Sequence, residues 1–176
     1  MKSKFLKIFF IIIVLVESLN THAAIDNDTV DLRCCSHHED RIVSIKIDMC
    51  NIDIETAYSI TPQMYDEVGF ADDKRDTVDI IDTDDIKCLI KSIKKLKLYD
   101  KYTPTGLDTR GCIIISYNCG CTKKCYISYF FLYVNGLYYD ISPRSFLSVD
   151  FRVIVQKIMN TYPRAKKHLN TWFFYE

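Results

Sequence analysis

"YISYFFLYVNGLYYDIS", residues 126–142, decides how this chain folds. Asn135-Gly136 tolerates the positive φ angles of a type I′ turn, so the flanking runs pair antiparallel. A two-residue loop also sets the register: Val134 opposite Leu137, Leu132 opposite Tyr139, Phe130 opposite Ile141. These six residues make one apolar face. The other face carries Tyr129, Phe131, Tyr133 and Tyr138. A sheet with one solvated face shows polar residues at alternate positions, and this hairpin does not. Its second face is therefore either another core layer or a recognition surface. Tyrosine clusters suit recognition, because each ring buries a large area while its hydroxyl stays hydrogen-bonded. Tyr129, Phe131, Tyr133 and Tyr138 are accordingly the candidate protein-binding residues.

Upstream, "RGCIIISY" (110–117) is the preceding strand, which enters 126–134 through "NCGCTKKC" (118–125), where Gly120 permits a sharp bend. Farther back, "RIVSIKIDM" (41–49) alternates cleanly. Val43, Ile45, Ile47 and Met49 share one side, and Ser44, Lys46 and Asp48 share the other, as in a half-buried strand. "TVDII" (77–81) is a second strand, and "TPQMYDEVGFADDKRD" (61–76) reads as a loop. A helix is expected over 84–97. Asp82 or Thr83 caps it, Asp84 and Asp85 suit its positive end, and Ile86, Leu89, Ile90, Ile93 and Leu96 form its apolar stripe. Its five lysines read as a solvated face. A second helix, 145–160, presents Phe146, Val149, Val153, Ile154 and Ile158 and stops before Pro163. The expected fold class is α+β: an antiparallel meander with an NG hairpin, packed with two helices and braced by disulfides.

Residues 1–23 read as a signal peptide. Lys2, Lys4 and Lys7 precede the apolar run Ile8–Val16, which is too short for a bilayer-spanning helix, and Thr21 and Ala23 occupy the small-residue positions before a cut. Residues 24–40 then form a flexible segment, and 41–176 a single α+β domain. The expected location is exported, periplasmic or extracellular, with no membrane association after cleavage.

All eight cysteines lie beyond residue 23: Cys34, Cys35, Cys50, Cys88, Cys112, Cys119, Cys121 and Cys125. An even count in an exported chain reads as a disulfide framework. Cys119 and Cys125 are placed to close the neck of their hairpin, leaving Cys121 to reach elsewhere. The alternative is a metal site at "CCSHH" (34–38), where Cys34, Cys35, His37 and His38 are dense in donors and the 119–125 turn could supply more. Zinc wants four such ligands. A redox site wants C-x-x-C at a helix start, which this run lacks.

Catalysis finds no foothold in the motifs. There is no P-loop, no G-x-G-x-x-G, and no hydrolase, kinase or protease signature. "DDKRDTVDIIDTDD" (72–85) is acidic, yet lacks the central glycine and closing glutamate of a calcium loop. Residues 24–85 carry 17 acidic and 5 basic side chains, and 86–176 carry 5 acidic and 15 basic. Near-neutral totals argue against a nucleic-acid binder and for two halves that fold onto each other. The expectation is a small exported, non-enzymatic protein without cofactors. It binds another protein, as an inhibitor or immunity-type partner of a secreted or periplasmic protein does. The rival is an exported metal-binding protein using the Cys/His clusters.

Overall fold

β-Branched residues are concentrated in the first three strands and aromatic residues in the last three. The computed structural model describes residues 29–34, 41–50, 59–67, 75–99 and 108–161. In it, β1 (Ile42–Cys50), β2 (Arg75–Ile80), β3 (Gly111–Tyr117), β4 (Thr122–Ile127), β5 (Phe131–Val134) and β6 (Leu137–Asp140) form one antiparallel sheet ordered β2-β1-β3-β4-β5-β6. Register partners share a face, so the Ile47–Val78, Ile47–Ile113, Ile113–Cys125 and Ile127–Leu132 pairs carry one apolar surface across the sheet. Ile45, Ile47, Ile113, Ile115, Ile127, Leu132 and Tyr139 are buried on it.

Two helices cover that surface and pack on each other. α2 (Thr83–Lys94) begins where the Asp82 carboxylate accepts from the N–H groups of Asp84 and Asp85. It buries Ile86, Leu89 and Ile93. It ends earlier than its apolar stripe suggests, because residues 97–99 are recruited to the free edge of β6. Tyr99 N–H donates to Tyr138 O at 2.7 Å, and Asp140 N–H donates to Lys97 O at 3.0 Å. The third helix, α3 (Val149–Thr161), follows a short 3-10 turn at Phe146–Ser148. Among the described residues no helix is long and apolar enough to cross a membrane.

The α+β architecture and the NG hairpin stand as expected. Asn135 has φ 52° and Gly136 φ 84°, and Val134–Leu137 and Leu132–Tyr139 are directly paired. Four details differ. First, 126–134 is not one strand. Ser128 N–H donates to Phe131 O and Phe131 N–H returns to Ser128 Oγ, so residues 128–130 form a turn and the meander has four strands. Phe130 therefore leaves the apolar face and is 53 % exposed, although its carbonyl still accepts from Ile141 N–H. Second, residues 61–76 contain a short helix, α1 (Pro62–Glu67), which places Tyr65 over the opposite face of β1. With Ile60, Cys50 and Cys112 it makes a second, smaller apolar cluster. Third, α3 buries Phe151, Val155 and Ile158, while its Val149 and Val153, and Phe146 in the 3-10 turn before it, are exposed.

Fourth, part of the 24–40 segment is packed. Val30 and Leu32 are core residues, and the Tyr117 hydroxyl donates to Leu32 O. Lys123 Nζ and Asn135 Nδ2 both donate to Asp31 O, at 3.2 and 3.0 Å. The stretch is sparse in apolar residues, yet its two are enough because β3, β4 and the NG turn satisfy its carbonyls. Seven of the eight cysteines are described and no S–S bond joins any two of them, so the ladder and the core, not the expected disulfide brace, hold this part of the fold.

Candidate recognition face and thiol cluster

The face of β4–β6 turned away from α2 and α3 is built from aromatic rings by strand alternation. Tyr126 is opposite Tyr133, and Tyr133 is opposite Tyr138. Their ring centroids lie 6.3 and 4.9 Å apart. Phe131 contacts Tyr138 at 6.3 Å and meets Tyr99, delivered by the 97–99 edge segment, at 4.7 Å in an edge-on arrangement. These rings form a continuous, half-buried strip. Tyr126 anchors one end: its hydroxyl donates to Asp66 Oδ2 of α1 at 2.8 Å, and Lys124 pairs with the same carboxylate at 2.8 Å. Burial first, then the bond to Asp66, pushes the Tyr126 hydroxyl well above its ordinary range, so it remains a neutral donor.

At the other end the strip opens into a cleft of about 580 Å³ lined by Tyr99, Phe130, Phe131, Asp140, Pro143 and Arg144. Tyr129 and Phe130 stand on the rim in the β4–β5 turn, 45 % and 53 % exposed, with ring centroids 6.3 Å apart. Of the four residues expected on this face, Phe131, Tyr133 and Tyr138 lie together, while Tyr129 belongs to the rim. Tyr126, Tyr99 and Phe130 complete the surface. Tyr126 would follow from alternation once the turn at 128–130 is known. Tyr99 carries no local signal, because only the edge pairing with β6 brings it there.

The second feature is the β3–β4 turn. Gly120, at φ 83°, lets the chain reverse, with Tyr117 N–H donating to Cys121 O and Gly120 N–H to Tyr117 O, both at 3.0 Å. Cys119 and Cys121 flank this glycine. Cys34, at the end of the packed N-terminal segment, reaches them: its Sγ is 3.7 Å from Cys119 Sγ, and all three sulfurs lie within 4.8 Å of one another. Asp31 and Arg33 form a salt bridge beside them at 2.9 Å. Arg33, chiefly through its side-chain hydrogen bond, lowers the Asp31 carboxyl from 3.8 to about 2.

The expected neck pair does not form. Cys125 sits in the core opposite Ile113, while Cys119 is in the exposed turn beyond the ladder. Burial pushes the Cys125 thiol up to about 12 and drives Cys112 upward as well, so both are inert thiols at neutral pH. Cys50 is buried near Cys112 in the smaller cluster, and Cys88 is exposed on α2. Cys35, His37 and His38 lie outside the described residues, as do residues 1–23. Comparison with protein-family models, curated proteins and solved structures finds no match.

Proposed function

We propose that this chain is an exported, non-enzymatic binding domain that recognises another protein through the aromatic strip and cleft of β4–β6. Its partner is a secreted or periplasmic protein presenting an apolar segment, and the domain acts as an inhibitor or immunity-type module. The observation that carries this reading is the exposed Tyr129–Phe130 rim above the Tyr99–Phe131 cleft. Two large rings held in this turn stay about half exposed, and aromatic side chains clustered beside an arginine are the residue types that dominate protein interfaces. Export is inferred from the composition of residues 1–23.

The test separates recognition from stability. Tyr129→Ala with Phe130→Ala removes exposed rings, and the double variant is expected to keep its melting temperature within a few degrees. Wild-type protein is immobilised, incubated with secreted fractions of its native host under crosslinking, and compared with the variant. A protein captured by the wild type and lost by the variant supports the proposal. Equal capture by both would move the interface elsewhere.

A further inference from the structure

Three sulfurs from distant parts of the chain converge at one end of the sheet, and their spacing has a chemical meaning. We propose that Cys34, Cys119 and Cys121 form a three-thiolate site for a soft, closed-shell cation, zinc(II) or copper(I). Zn–S bonds of about 2.3 Å at tetrahedral angles place neighbouring sulfurs about 3.8 Å apart. Cys34 Sγ and Cys119 Sγ are 3.7 Å apart, and Cys121 Sγ is within 4.8 Å of both. An S–S bond instead needs about 2.05 Å.

The backbone holds the donors in place. Cys119 and Cys121 are fixed by the turn bonds at Tyr117 and Gly120. Cys34 is fixed because Tyr117, Lys123 and Asn135 bind the carbonyls of residues 31–33. Cys119 is exposed and the other two are half-buried, so an ion can enter. Its remaining position is open to water or a further donor. Soft thiolates select zinc and copper(I) over calcium or magnesium. Each cysteine that binds releases its proton to solvent, so affinity falls as pH falls. A bound ion would also keep these three sulfurs out of S–S bonds, which matters if the chain works outside the cell.

The site is independent of the aromatic strip, so its test stands apart from the partner experiment. Full-length reduced, metal-free protein is titrated with zinc(II), and anaerobically with copper(I), each against a competing chromophoric chelator. One equivalent of at least one ion is expected to bind more tightly than micromolar. Cys119→Ser and Cys121→Ser should each weaken it by about tenfold or more, since even groups that only orient ligands cost that much. Both positions are in the turn outside the core, so the metal-free melting curves should match wild type. Cys88→Ser, on the exposed face of α2, should bind as wild type does. Three results would overturn the proposal: binding weaker than micromolar for both ions, equal weakening by Cys88→Ser, or peptide mapping of protein purified without reductant that finds a cystine joining two of the three.

Discussion

Gly111 shows how tightly the middle of the sheet is built. It opens β3, where a side chain would point into the core. A Cβ there would meet Asp48 O at 3.1 Å and the Met49 side chain at 3.2 Å. Backbone on one side and a packed methionine on the other leave no easy relief, so Gly111→Ala is an overpacking change, expected to cost about 1–3 kcal/mol. Gly120 differs in kind: an added Cβ would meet nothing within 4 Å, and only the φ of 83° is demanding. Chemical denaturation of Gly111→Ala checks the prediction, and a midpoint equal to wild type would mean the β1–β3 contact yields more than this packing allows. The same scale holds a part-buried ion pair. Arg110, 5 % exposed, binds Asp108 Oδ2 through Nε at 2.8 Å and Nη2 at 2.6 Å, and Asp108 Oδ1 accepts from Ile60 N–H. That carboxylate thus ties residue 60, which precedes α1, to the start of β3.

Among the elements, α3 is the most instructive. Its sequence is apolar on two sides, Val149–Val153 and Phe151–Val155–Ile158, so periodicity alone permits either face to turn inward. The sheet takes the side that carries the helix's one ring, Phe151. Phe151 is fully buried, whereas Phe146 is 92 % exposed. Phe151→Ala is therefore expected to destabilise by about 3–5 kcal/mol, through lost transfer energy and the cavity left behind. Phe146→Ala should stay within about 0.5 kcal/mol of wild type. Thermal melts of the two variants check this placement, and an equal or reversed order of losses would overturn it. This is also where legibility in the sequence ended. The Asn135-Gly136 turn, the alternation of β1 from Ile45 to Met49 and the Asp82 cap were readable because each is set locally, whereas Val43, expected on the buried side, is exposed next to the register shift between Ile42 and Ser44. The turn at 128–130 was not, since Ser128 alone interrupts a run of aromatic residues without glycine, proline or asparagine. For the site, three of the four ring residues could be placed on one face by counting in twos. The meeting of Cys34 with Cys119 and Cys121 could not, because it depends on the path of residues 29–34 across two strands, and no spacing encodes that path.

At the scale of the whole molecule, charge is divided along the chain but shared within one sheet. The acidic first half, residues 24–85, supplies β1 and β2, and the basic second half supplies β3 to β6. β1 pairs with β3, so the halves meet along a full strand. Ion pairs join them at Lys124–Asp66 (2.8 Å) and Lys157–Asp85 (3.9 Å). Each exposed pair contributes only about 0.2–1 kcal/mol. Attraction summed over two oppositely charged halves is long-ranged at low salt. The Debye length shrinks from about 30 Å at 0.01 M to about 3 Å at 1 M, so sodium chloride over that range should remove most of it. A loss of about 1–2 kcal/mol would lower the melting temperature by a few degrees for a domain of this size. Calorimetry across the salt series is the measurement. Destabilisation that saturates near 1 M supports a charge division that serves folding. A melting temperature that holds or rises with salt, together with retention on a heparin column, would mean that the basic half is kept for a polyanion instead, because like charges crowded on one surface are relieved, not weakened, by screening.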